Sequence, residues 1–203
     1  MAYCKPRRRF PAEPLAKEEV EALIGACSAS CVSGVRNAAL IATLYRSGVR
    51  IGEALALYPK DLSARQGTIQ VLHGKGGKQR VVGLDAWGWG WLGRWLEVRS
   101  SLGVNGRHRL FCTLRGKPLI QPYVSNMLKR VARHAGVEKR VHCHGLRHSF
   151  ASQAVLDGVN VAAISQQLGH SNVATTAVYL HRLNPREAIA AFAEPAPEGT
   201  CGR

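Results

Sequence analysis

Acidic residues are scarce in this 203-residue chain. Asp and Glu number 13 against 28 Lys and Arg, a formal net charge of +15. An imbalance of that size favours a polyanionic partner, nucleic acid first and an anionic membrane surface second. Long apolar runs are missing too. None approaches the roughly 20 residues that a spanning helix needs, which excludes a helical membrane span. The opening "MAYCKPRRRFP" is basic but has no apolar stretch behind it, so it is not a secretory signal. The six cysteines, Cys4, Cys27, Cys31, Cys112, Cys143 and Cys201, are scattered through helix-like and strand-like segments. That pattern suits reduced thiols in a cytoplasmic protein rather than a disulfide framework. No internal repeat is present. The length is enough for one sizeable domain with its own core.

What is there is mostly helical periodicity. Residues 1–14 carry Lys5, Arg7, Arg8 and Arg9 among prolines and read as a basic N-terminal arm or linker. "LAKEEVEALIGAC" has helical spacing, with a weak start because Ala16 stands where a hydroxyl would cap best. "RNAALIATLYRSG" predicts a second helix stopped at Gly48, and "RIGEALALYPKDL" a third ending before Pro59. "GTIQVLHGKGGKQRVVGLD" predicts a β-hairpin around a Gly-rich turn. Residues 85–102 hold all four tryptophans, with Trp91, Leu92, Trp95 and Leu96 as an apolar helical stripe. "RLFCTL" is a candidate strand. Residues 121–135 predict a basic helix with Met127, Leu128 and Val131 inward and Lys129, Arg130 and Arg133 outward. Further helices are expected over about 144–156, over 161–168 with Asn160 and Gly169 as caps, and over about 173–182. Residues 186–203 read as a short apolar helix and tail. The fold class is therefore α+β, mainly helical, with a small antiparallel sheet from the 67–84 hairpin and a 109–114 strand.

The chemistry concentrates in a few places. In "HGLRHSF", His144 and Arg147 are three apart and share a helix face. "LGHS" puts His170 at a helix C-terminus, and nine residues on "TTAVYLH" presents Tyr179. Upstream, "SGVRIGEAL" opens a helix with Arg50 and places Glu53 on the same face, while the hairpin turn carries Lys75. Two arginines can fork onto phosphate oxygens. A phosphoryl-transfer centre without a metal needs such cations to absorb developing charge. Tyrosine, with a reference pKa of about 10, becomes a nucleophile when nearby positive charge stabilises its phenolate. A hairpin lysine can act as the acid toward a leaving alkoxide. "GKGGK" lacks the spacing of a nucleotide-binding phosphate loop. His142, Cys143, His144 and Cys112 fit no common zinc spacing, so no metal and no cofactor are expected.

"SGVRIGEALAL", "GKGGKQRVVGL", "HGLRHSFAS" and "LGHSNVATTAVYLH" resemble, in order and spacing, the four signature segments of the tyrosine recombinases, the phage-integrase family. The resemblance covers roughly residues 15–185 and implies that family's catalytic-domain fold. It implies that Tyr179 attacks a DNA phosphate to give a 3′-phosphotyrosine and a free 5′-hydroxyl. Arg50 and Arg147 would clamp the non-bridging oxygens, His144 would serve as general base or phosphate donor, Lys75 would protonate the leaving oxygen, and His170 would hydrogen-bond the phosphate. Glu53 and His148 would support the pocket. Lys78 and Arg80 are expected on the DNA backbone, with Lys129, Arg130 and Arg133 as further DNA contacts. The family pattern also implies double-stranded DNA as partner, a monomer when free and a tetrameric synapse on DNA. It implies a bacterial or phage-encoded, nucleoid-associated protein. Members usually carry an N-terminal helical domain that completes a clamp around DNA. Here residues 1–14 precede the catalytic segment. The apolar "AIAAFA" stretch is a candidate contact between protomers.

A rival reading takes "AAISQQLGHSNVATTAVYLHR" as a helix-turn-helix that binds DNA without cutting it, or the whole as a degenerate recombinase. It leaves Arg50, Lys75, His144 and Arg147 unexplained. A third reading is the same chemistry without exchange, relaxing supercoils as a type IB topoisomerase does.

Overall fold

The computed structural model describes residues 13–72 and 79–169. Seven helices and a small sheet are built from them: α1 Lys17–Gly25, α2 Val32–Ser47, α3 Ile51–Ala56, β1 Leu62–Ser63, β2 Thr68–Val71, β3 Arg80–Gly83, α4 Ala86–Ser101, α5 Gln121–His134, α6 Cys143–Leu156 and α7 Val161–Leu168. The expected α+β, mainly helical class is what the chain adopts. The helices expected after residue 169 lie outside the described residues.

α2 is the central element. Twelve of its residues are buried, from Gly34 to Ser47, so it is enclosed on most sides and packs against α1, α4 and α6. α4 covers it with Leu92 and Trp95, both fully buried, and the Trp95 indole N–H donates to Leu110 O at 2.9 Å. Asp85 caps α4 by accepting from Gly88 N–H at 2.9 Å. α5 turns Met127, Leu128 and Val131 inward, as its spacing requires. The weak start expected for α1 is reinforced by its own first turn and by residues from elsewhere. Glu19 accepts the Ala16 N–H at 2.7 Å, Lys139 binds Glu19 at 2.9 Å, and Ser149 Oγ accepts the Leu15 N–H at 2.7 Å.

The sheet corrects one expectation. Its third strand is β1, pairing antiparallel with β2 through Leu62–Ile69 and Ser63–Thr68. The 109–114 segment forms no strand; it makes an isolated bridge, Cys112 to Pro118. Leu110, Phe111 and Cys112 are fully buried as a strand would be, but their backbone groups are used otherwise. Leu110 N–H donates to Leu57 O at 2.7 Å, and Cys112 O accepts from the Arg36 guanidinium at 3.1 Å.

α7 packs on α6 through a small satellite core of Ala151, Ala154, Ile164 and Leu168, with Phe150 against it. Gln167 ties it to the sheet: its side-chain amide donates to Gly83 O at 2.8 Å and its carbonyl accepts the Gly83 N–H at 3.0 Å. Gly48 ends α2 with φ +64°, a left-handed turn. A Cβ there would lie 2.5 Å from Phe150 and 2.8 Å from Leu168. Gly48→Ala is therefore expected to cost about 2–4 kcal/mol, backbone strain and overpacking together. Urea unfolding checks it: an unchanged midpoint would mean that Phe150 and Leu168 yield freely.

Candidate active site

Arg50 is the N-cap residue of α3, directly after the α2 turn at Gly48 and Val49. Its Nη1 donates to Glu53 Oε1 at 2.9 Å and its Nη2 to Gly169 O at 3.3 Å. Arg147, on α6, is only 3% exposed. Its Nη1 donates to Gly48 O and its Nη2 to Leu168 O, the latter at 2.6 Å. Two arginines 97 residues apart in the chain (147 − 50) thus converge on consecutive carbonyls at the end of α7. Those carbonyls, like Gly48 O, sit at helix C-termini, where the peptide dipoles leave partial negative charge. That is how the fold retains a buried guanidinium.

Glu53 is buried at N3 of α3, and its Oε2 accepts the Arg50 N–H at 2.8 Å. Burial pushes its carboxyl up. Hydrogen bonds and charge from Arg80, with the bonds from Arg50, outweigh this and hold it down at about 2. A carboxylate held below its ordinary 4.5 stabilises the fold above that value, and the stabilisation is lost as pH falls toward 2. The expected contribution is about 3 kcal/mol. Acid unfolding of Glu53→Gln beside the unchanged protein checks it. The variant should be less stable at neutral pH, and the two curves should converge between pH 4.5 and 2. Parallel curves would refute it.

His144 is exposed on α6, and its ring meets that of His148 edge-on, with centroids 4.2 Å apart. Partial burial, then the charges of Arg147, His142 and Arg50, hold its pKa below the ordinary imidazole value. At neutral pH the ring is therefore neutral and able to accept a proton.

Arg80 is found in a different place from the one expected. Instead of standing free for a DNA backbone, its guanidinium is closed on Glu53, Nη1 to Oε1 at 2.9 Å and Nη2 to Oε2 at 2.7 Å, with Nε donating to Gln167 O at 3.2 Å. Its side chain is 13% exposed. The strand alternation held the clue, since Arg80 shares a face with buried Val82. Lys129, Arg130 and Arg133 are exposed on α5. Lys129 and Arg133 line a surface cleft of about 530 Å³ with Ser125, Arg140 and His142, and sequence reasoning had not selected the last two for this face. Lys75, Lys78, His170 and Tyr179 lie outside the described residues.

Several cations serve the fold rather than the surface. Arg36 is 2% exposed and donates to Tyr123 Oη at 2.6 Å and to Asn37 Oδ1 at 2.9 Å. Arg99 is 4% exposed and donates to the carbonyls of Val104, Asn105, His108 and Arg109. The charge of +15 therefore overstates what faces a partner. Burial pushes the Cys27 thiol up to about 11, and Cys27, Cys31, Cys112 and Cys143 are all free. Among the described residues no three His, Cys, Asp or Glu side chains are grouped to hold a metal ion, and no helix is long and apolar enough to cross a membrane.

Residues 13–186 match the model of the phage integrase family, and the chain belongs to that family. It is 34% identical over 183 residues to the tyrosine recombinase XerD of Ralstonia nicotianae, covering 89% of this chain and 59% of that protein. Tyrosine recombinase XerD of Corynebacterium glutamicum is 35% identical over 178 residues, covering 86% of this chain and 58% of its own length. The chain thus spans under two thirds of these relatives. Among solved structures, the XerA recombinase superposes with a TM-score of 0.78 at 30% identity, over 96% of this chain and 68% of that one. The XerH site-specific recombinase, in a post-cleavage complex with its palindromic difH substrate, superposes with a TM-score of 0.72 at 33% identity, over 88% of this chain and 52% of that one.

Proposed function

We propose that this chain performs site-specific DNA recombination, cleaving and rejoining duplex DNA through a 3′-phosphotyrosine. The convergence of Arg50 and Arg147 on the end of α7 carries the reading. It gathers two forked cations beside the chain segment that leads into His170 and Tyr179. Membership of the phage integrase family, and relatives named as tyrosine recombinases, support it.

In the proposed reaction the two guanidiniums bind the non-bridging oxygens of a DNA phosphate and stabilise the added negative charge as phosphorus becomes five-coordinate. The Tyr179 oxygen bonds to phosphorus as its proton passes to neutral His144. The bond from phosphorus to the 5′-oxygen breaks, and Lys75 gives that oxygen a proton. His170 adds a hydrogen bond to the phosphate, and Glu53 and His148 hold the pocket from behind. A 5′-hydroxyl from a partner duplex reverses the step and releases Tyr179. The phosphotyrosine conserves the bond energy, so neither ATP nor a cofactor enters. Double-stranded DNA is the substrate, contacted in part by Lys78, Lys129, Arg130 and Arg133. Strand exchange requires several copies of the chain on DNA, a tetramer for two duplexes, formed from free monomers. Bacterial relatives support a cytoplasmic setting, and a chromosomal DNA substrate would place the chain at the nucleoid.

A nicked suicide substrate tests this. The full chain is incubated in EDTA with a nicked duplex selected for retention from a randomised library, and adducts are resolved on a denaturing gel and mapped by mass spectrometry. A covalent adduct on Tyr179 is the expected result. Binding without any adduct would refute the reading.

A further inference from the structure

One guanidinium joins the three parts of the site. Arg80 projects from β3, forks onto both oxygens of Glu53 on α3, and donates to Gln167 O at the end of α7. A Cβ on Gly169 would lie 2.9 Å from its Nε and 3.0 Å from its Cζ, so a larger residue at this left-handed position (φ +64°) would push the Arg80 side chain aside. Glu53, its side chain 4% exposed, accepts four hydrogen bonds from two arginines: the Arg50 N–H and Nη1, and the Arg80 Nη1 and Nη2.

The charge count matters more than the packing. A buried carboxylate facing a single guanidinium takes both of its forks and cancels its charge. Here two guanidiniums share one carboxylate, and the group keeps a net charge of +1. Arg80 is the more enclosed of the two, with its side chain 13% exposed against 31% for Arg50. The surplus charge therefore faces outward on Arg50. Arg50 also keeps Nη2 on Gly169 O, at a long 3.3 Å.

We propose that Arg80 is a positioning residue for phosphoryl transfer: by occupying Glu53, it keeps Arg50 from collapsing onto that carboxylate and leaves the Arg50 charge available to the DNA phosphate. This rests on the phosphotyrosine reading above. Arg80 touches no substrate in this arrangement. It acts through Glu53 on Arg50 and through Gln167 on the end of α7.

The test is a double-mutant cycle on the full chain, using the selected nicked duplex and single-turnover adduct formation, with duplex affinity and melting midpoint read alongside. Arg80→Gln should slow adduct formation by about a hundredfold while affinity barely changes, because an ill-aimed group costs the chemical step. Arg80→Lys keeps the charge without the fork and should fall between. Glu53→Gln in the Arg80→Gln background should restore much of the rate, since no carboxylate then captures Arg50. A purely structural role predicts the opposite, two losses that add, with melting and affinity falling together. That result, or an Arg80→Gln protein that cleaves normally, would overturn the proposal. A wild-type chain that binds but forms no adduct would overturn the phosphotyrosine reading and this inference with it. Normal cleavage by Arg80→Gln would overturn this inference alone.

Discussion

Tyr179→Phe is expected to abolish adduct formation completely while leaving duplex binding and thermal melting unchanged. The substitution removes one oxygen and keeps the ring, so a loss confined to the adduct isolates the nucleophile. A phenol with a reference pKa near 10 attacks at neutral pH only where positive charge stabilises the phenolate. In the proposed mechanism Arg50 and Arg147 supply that charge; they meet at Leu168 O and Gly169 O, which directly precede His170 in the chain. The described tyrosines are buried or occupied. Tyr45 is 2% exposed, the Tyr123 hydroxyl accepts from Arg36 at 2.6 Å, and the Tyr58 ring carries the Arg109 guanidinium 4.3 Å from its centre. An adduct that persisted in Tyr179→Phe would place the nucleophile elsewhere and sink the assignment.

Arg147→Gln is the second large effect, and it is felt twice. In the proposed mechanism the substitution removes a donor to the phosphate, and it is expected to slow single-turnover cleavage by about a hundred- to a thousandfold. It also leaves Gly48 O and Leu168 O poorly satisfied at two buried helix ends, a stability loss of about 2 kcal/mol. Arg147→Lys is informative because it keeps the charge. An ammonium on a flexible stem cannot hold two carbonyls in the directions that a planar fork reaches. The lysine variant is therefore expected to recover part of the stability and little of the rate. Cleavage measured well below each variant's melting temperature, with urea unfolding beside it, separates the two effects. A lysine variant that cleaved at the wild-type rate would show that charge alone suffices, and the clamp geometry assigned to Arg147 would be wrong.

Much of this was legible in the sequence because it depends on near neighbours. The αL ends of α2 and α7 follow from Gly48 and Gly169, and the start of α7 from Asn160, whose side chain accepts the Ala162 N–H at 2.8 Å. The inward face of α5 follows from helical spacing, and the pairing of Arg50 with Glu53 from their separation by three residues. Four segments in order were enough to mark the family and to name Arg50, His144, Arg147 and Tyr179 as the residues of interest. The two-residue strand β1 carried no periodicity to read, and the 109–114 run looked like a strand because burial on all sides gives the same apolar composition whatever the backbone pairs with.

The sequence alone determined which residue types are present, where the described helices stop and which segments mark the family, since caps, turns and periodicity act over a few residues. Only the tertiary structure decided which of the many cations face a partner and which are spent inside. Arg36, Arg80 and Arg99 are each buried or nearly so, on partners fixed by the fold. The reason is physical. A guanidinium is held by whatever oxygens surround it, and the oxygens around Arg80 belong to residues 27 and 87 positions away, brought together only when α3, β3 and α7 have packed.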